Sequence, residues 1–110
     1  MMMYVVIYNI TDQKVKFLHK EVELFPDNSD AFYNLGNAYL KLQKYTTAID
    51  YYLKSLEIKP KATDAMLNIA VIYLQNLKNC KESIRWAYKI LNEDANHSRA
   101  KTILKRCGDI

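Results

Sequence analysis

Glycine and proline are scarce in this sequence, two of each in 110 residues. Disordered linkers are rich in both, and a phosphate-cradling loop needs several glycines close together between a strand and a helix. Gly36 and Gly108 cannot form such a loop, so no nucleotide site is implied. No apolar run approaches the roughly 20 residues that a membrane span requires. Residues 1–8 are apolar, yet they lack a basic leading region and a small-residue cleavage site. No targeting signal and no membrane association are expected, and a cytoplasmic location is the default.

Catalytic and metal chemistry are equally thin. Cys80 and Cys107 stand far apart, with no second Cys or His at ligand spacing. The expectation is therefore two reduced thiols, neither a zinc site nor a disulfide framework. His19 and His97 have no nucleophile or acid at motif spacing, and Ser83 and Ser98 lie in no nucleophile elbow. His19 reads as a helix-surface residue. No enzyme, no cofactor and no metal are expected.

What is present suits helices, with half the residues apolar and a quarter charged. The net charge of +4 is not spread evenly. Residues 1–77 carry eight basic and eight acidic side chains. From Lys78 onward Lys78, Lys81, Arg85, Lys89, Arg99, Lys101, Lys105 and Arg106 face Glu82, Glu93, Asp94 and Asp109, so the whole excess lies in the last third. A solvated surface or a patch for an acidic partner accounts for it better than nucleic acid does.

A repeat emerges when the chain is shifted by 34 residues. Asp30, Ala31, Asn34, Tyr39 and Leu40 then fall on Asp64, Ala65, Asn68, Tyr73 and Leu74, with Leu35 on Ile69 and Gly36 on Ala70. The following half matches at a shift of 35, where Ile49 meets Ile84 and Leu56 meets Leu91, which places a one-residue insertion in the turn near residues 76–79. Phe32, Leu35 and Tyr39 keep helical spacing, as do Ile49, Tyr52 and Leu56, so each unit is a pair of amphipathic helices. Helices are expected near 12–24, 30–43, 46–58, 64–77, 81–92 and 98–107. Ser29 and Thr63 are the expected N-caps, followed by Asp30 and Asp64, whose charge suits the helix dipole.

Phe32, Leu35, Gly36, Tyr39, Ala48, Tyr52 and Pro60 together resemble the tetratricopeptide repeat signature of a bulky residue, Leu-Gly, Tyr, Ala, aromatic and Pro. Residues 29–62 carry nearly every position. Residues 63–97 resemble a second repeat, with Ala87 in place of the aromatic and Trp86 beside it to supply volume. Residues 98–110 resemble a polar capping helix, and residues 1–28 a partial repeat. The resemblance implies one all-α domain, a right-handed α-solenoid of antiparallel helix pairs, acting as a protein-protein interaction module.

In this family the first helices of successive repeats line a concave groove. The matching residues here are Tyr33, Asn34, Asn37 and Lys41, then Leu67, Asn68, Val71 and Gln75, then Arg99, Ile103 and Arg106. That groove begins aromatic and amide-rich and ends basic, which suits a peptide or protein segment with acidic side chains. One subgroup grips the acidic tails of heat-shock chaperones. Asn37, Asn68 and Arg99 resemble its clamp, but Tyr33 and Ile103 replace a lysine and an arginine, so other ligands are favoured. Residues 1–9 are open to helix or strand, since Tyr4, Val5, Val6 and Ile7 favour strand by propensity. If Phe17, Leu18 and Val22 are left uncovered there, a homodimer or larger self-assembly through this end is the alternative role.

Overall fold

A computed structural model describes the backbone of residues 2–110 and the side chains of residues 12–110. Among the described residues the fold is all-α, built from helix pairs as the repeat predicts. The helices are α1 (Met2–Leu24), α2 (Ser29–Lys41), α3 (Tyr45–Ile58), α4 (Thr63–Val71), α5 (Cys80–Glu93) and α6 (Ser98–Arg106). They form two compact units, Met1–Ile58 and Lys59–Ile110.

In the first unit α2 and α3 run antiparallel, because the turn at residues 42–44 reverses the chain. Gln43 takes a left-handed conformation there, with φ 60°, and Lys44 N donates to Tyr39 O at 3.0 Å. The N-cap of α2 is Asn28 rather than Ser29. The Asn28 side chain accepts from Asp30 N and Ala31 N, satisfying two donors that a helix start leaves open. Ser29 is instead buried, and its hydroxyl meets that of Ser55 on α3 at 2.8 Å. The two serines also donate to each other's backbone carbonyls. Gly36 is where α2 passes closest to α3: a Cβ there would lie 2.6 Å from the Tyr52 ring, which is fully buried.

The α1 backbone is helical from Met2, which decides between helix and strand. Val15, Leu18 and Val22, at i, i+3 and i+7, pack with Leu35, Ala38, Tyr39 and Tyr51. Leu18 and Val22 are therefore packed within the unit, whereas Phe17, Leu24 and Phe25 are exposed, so the condition set for self-association is met at Phe17 alone of the three residues named for it. The side chains of residues 1–11, on which the self-association expectation also rested, lie outside the described residues. His19 is not a plain surface residue either. Its Nε2 shares a 2.8 Å hydrogen bond with the Tyr39 hydroxyl, and its ring stands edge-on to Tyr39 and Tyr51. The helical stripe could not show this, because Tyr39 and Tyr51 arrive from other helices.

The second unit repeats the pair with different solutions. Where the first has Gly36 and Tyr52, this one has Ala70 and Ala87, both fully buried, so the close approach and the ring have been given up together. Ser83, in the place of Ala48, sends its hydroxyl to Ala70 O at 2.8 Å. Trp86 is buried and carries Lys89 Nζ 4.5 Å above its ring. The α4 N-cap is Ala62, without a side-chain bond, and not Thr63; Asn79 caps α5 by accepting from Glu82 N.

The inserted residue is taken up earlier than expected. After Val71 the helix widens into a π turn, Ile72–Asn76, where Leu77 N reaches back five residues to Ile72 O. Tyr73 O then accepts from Asn79 N, spanning six residues where Tyr39 O and Lys44 N span five. Lys78, with φ 53°, repeats the left-handed turn of Gln43. The register has therefore already slipped between Tyr73 and Lys78, inside the helix.

Cys80 and Cys107 form a disulfide, which corrects the expectation of two free thiols. Their separation of 27 residues is misleading, because α5 and α6 fold back as a hairpin that returns Cys107 to the start of α5. The Cα atoms are 5.6 Å apart, within the span of a disulfide.

Candidate functional site

A cleft of about 140 Å3 opens on the second unit between the α4 side and α6. Leu67, Val71, Leu74 and Gln75 line one wall. Arg99, Thr102, Ile103 and Arg106 line the other. Spacings of i, i+4, i+7, i+8 in the first wall and i, i+3, i+4, i+7 in the second put each set on one helix stripe. Leu67 and Ile103 are buried and form the floor, while Gln75, Arg99, Thr102 and Arg106 are exposed at the rim.

Local structure explains how each wall is held. The π turn carries Leu74 and Gln75 into the first wall. Helix α6 has nine residues, too few for stability alone. It is fixed by Ala100, Ile103 and Leu104 in the core, by His97, whose Nδ1 accepts from Ala100 N, and by the disulfide at Cys107.

The rim is electrostatically one-sided. Among the described residues the one ion pair is Arg85 with Glu82, so Arg99 and Arg106 have no carboxylate partner. Lys101 and Lys105 on the same helix add to the positive field. Asp109, the acid nearest in sequence, is turned away to accept from the Tyr88 hydroxyl. That hydrogen bond, followed by burial and the carboxylate's charge, raises the Tyr88 phenol above its ordinary value.

The cleft is smaller than the roughly 300–1,000 Å3 of sites for small organic ligands. It has room for one aliphatic side chain, with two guanidinium groups seven residues apart to meet acidic groups beside it. Among the described residues no cluster of His, Cys, Asp and Glu could hold a metal ion, and no helix is long and apolar enough to cross a membrane.

Of the residues named from sequence, Leu67, Val71, Gln75, Arg99, Ile103 and Arg106 come together here. Asn68 is half-buried and does not line the cleft. Tyr33, Asn34, Asn37 and Lys41 belong to α2 in the other unit, with Asn34 and Lys41 exposed. Tyr33 does not stand clear of the core but rests half-buried, its ring 5.5 Å from that of Tyr52. Asn37 Oδ1 accepts from the Tyr52 hydroxyl at 2.5 Å, which orients the amide. Leu74 and Thr102 were missed. Each stands three residues after a named one, Val71 and Arg99, and helical spacing would have found them.

Comparison with known proteins agrees with this architecture. Residues 29–62 match the tetratricopeptide repeat family. Tetratricopeptide repeat protein 37 of Xenopus laevis is 30% identical over 95 residues, which is 86% of this chain and 6% of that protein. The UDP-N-acetylglucosamine–peptide N-acetylglucosaminyltransferase of Giardia intestinalis is 33% identical over 61 residues, 56% of this chain and 4% of that one. The chain thus spans only a small part of either relative. Among solved structures, the first tetratricopeptide repeat domain of Spaghetti (RPAP3) bound to the HSP90 peptide SRMEEVD superposes with a TM-score of 0.76 at 18% identity, covering 89% of this chain and 79% of that one. A mutant of MamA superposes with a TM-score of 0.74 at 22% identity, covering 94% and 59%. Such repeats are generally non-enzymatic scaffolds and commonly mediate protein-protein interaction. With the signature on α2 and α3, the helix pairs and these matches, the chain belongs to the tetratricopeptide repeat family.

Proposed function

We propose that this chain is a cytoplasmic adaptor without catalysis of its own, which holds an acidic peptide or protein segment in the cleft between α4 and α6. The observation that carries the reading is the pair Arg99 and Arg106, exposed and without a carboxylate partner among the described residues, over the apolar floor of Leu67 and Ile103. An aliphatic side chain would fill the floor and its acidic neighbours would take charge-assisted hydrogen bonds from the two guanidinium groups. The acidic peptide in the solved complex of Spaghetti supports a ligand of this kind. The HSP90 tail itself is a weaker candidate, since Tyr33 and Ile103 replace two of the basic groups expected for it.

The test is fluorescence anisotropy with a labelled nine-residue peptide of aspartates and glutamates around one leucine. Arg99→Glu and Arg106→Glu should each weaken binding about tenfold, equivalent to about 1.4 kcal/mol, and added salt should weaken wild-type binding. Binding that is absent in wild type, or unchanged in both variants, would refute the reading.

Exposed Phe17, Leu24 and Phe25 favour a second reading, self-assembly through α1. Sedimentation across a concentration series that shows monomer alone would eliminate it.

A further inference from the structure

We infer that the Cys80–Cys107 disulfide is a reversible thiol switch that sets the affinity of the α4–α6 cleft, with the oxidised form binding and the reduced form releasing. The inference rests on the proposed peptide-binding role and adds its regulation. Four observations on one short helix lead to it.

First, the bond sits at the cleft. Cys107 is the C-cap of α6 and follows Arg106, the last residue of the wall. Second, α6 is the element that needs an external hold, since it has nine residues, and a helix that short does not persist in water by itself. Its start is capped by His97 and its middle is anchored by Ala100, Ile103 and Leu104. Its last turn has the disulfide as its covalent tie, beside Gly108 N to Lys105 O, Asp109 N to Leu104 O and the exposed Tyr88–Asp109 hydrogen bond. Third, that last turn brings Arg106, one of the two rim charges, over the floor that the anchored Ile103 supplies. Fourth, the bond can be reached. Cys80 is exposed at the first position of α5, and Cys107 is half-buried.

The chemistry is thiol-disulfide exchange with a dithiol reductant. A thiolate of the reductant attacks Sγ of Cys80, the S–S bond breaks, and Cys107 leaves as a thiolate that takes up a proton. The second thiol of the reductant then displaces Cys80 from the mixed disulfide. Two electrons and two protons have passed to the protein, and the reductant has become a disulfide. In a cytoplasmic setting such bonds are usually transient and used for sensing, which is the behaviour required here.

With the bond open, α6 keeps its core contacts but its last turn frays, so Arg106 samples positions in which it cannot pair with the ligand. The charge and apolar floor are unaltered; what changes is the fraction of molecules with both walls in place.

The experiment uses the full chain, air-oxidised or treated with dithiothreitol, with the labelled acidic peptide described above as probe. Reduction should raise the Kd about tenfold. The Cys80→Ser, Cys107→Ser variant should bind like the reduced protein and ignore the reductant, with circular dichroism confirming that it is folded. Amide hydrogen exchange of residues 103–107, measured without peptide, should quicken on reduction while α4 is unaffected. Equal affinity of the oxidised and reduced forms, or equal exchange at residues 103–107, overturns the switch. If the oxidised protein does not bind the probe at all, the peptide-binding reading fails, and the exchange rates alone decide whether the bond orders α6.

Discussion

Gly36 and Tyr52 give the sharpest test of the packing. A Cβ added at Gly36 would lie 2.6, 2.7 and 2.9 Å from Cε1, Cδ1 and Cζ of Tyr52. The ring cannot swing aside cheaply: it is fully buried, its hydroxyl is bonded to Asn37, and Tyr33 rests against it. Overpacking of this sort costs about 1–3 kcal/mol. Against it stands the gain of about 1 kcal/mol when alanine replaces glycine inside a helix. Gly36→Ala should therefore destabilise by about 1 kcal/mol near the middle of that range, a fall in Tm of roughly 4 °C. In a Tyr52→Ala background, itself costly by about 3–5 kcal/mol through the cavity it leaves, the clash disappears. There the same change should stabilise by about 1 kcal/mol. The second unit already carries this combination as Ala70 and Ala87. Urea unfolding of the four proteins, followed by helical circular dichroism, measures the cycle. A Gly36→Ala change that stabilises in both backgrounds would show that the glycine is not there for the ring. Gly36→Leu, with a whole side chain to place, should unfold the chain or come close to it.

Further expectations concern turns, buried hydroxyls and phenols. Lys78→Gly should stabilise by about 1 kcal/mol, because its left-handed φ of 53° strains any residue with a Cβ; an unchanged or lower denaturation midpoint would contradict this. Ser55→Ala should cost about 0.5–1.5 kcal/mol by removing the hydroxyl that meets Ser29 Oγ and donates to the Ser29 carbonyl, while Ser29 Oγ keeps the carbonyl of residue 55, and the double change to alanine should cost less than the sum of the singles; strict additivity would refute reciprocal pairing. Burial first, then Tyr39 and Asp50, raises the Tyr51 phenol above 10.0, as the Asp109 bond raises Tyr88. Since the neutral form is favoured in the fold, their contribution is full below pH 10.0 and is lost as pH rises through the higher folded values. Ultraviolet titration should show a late component that shrinks in Tyr51→Phe and Tyr88→Phe; no change in either variant would count against it.

Much of the fold was legible because the hydrophobic period and the repeat agree. Phe32, Leu35 and Tyr39, and Ile49, Tyr52 and Leu56, announce helix faces, and the shift of 34 to 35 residues lays each face on its counterpart in the next unit. What escaped depends on groups that meet only after folding. The Ser29–Ser55 pair and His19 with Tyr39 join different helices, and no spacing within one helix predicts either. The disulfide was missed for the same reason, since a hairpin cancels a separation that looks large along the chain. For the candidate site, the family resemblance named Arg99, Ile103 and Arg106 of the α6 wall, leaving out Thr102. It also named Asn68, which shares α4 with Leu67 but does not line this cleft.

The π turn at Ile72–Asn76 bears on how such repeats are aligned and redesigned. A comparison that opens its gap in the loop puts the extra residue among positions that tolerate insertion, and invites its deletion to recover the consensus length. In this chain the gap belongs inside the helix, in the stretch that supplies Leu74 and Gln75 to the cleft. Trimming it would straighten the helix and satisfy any score for repeat regularity. It would also remove the local geometry that places Leu74 and Gln75 in the cleft wall, producing a more regular repeat with a different cleft.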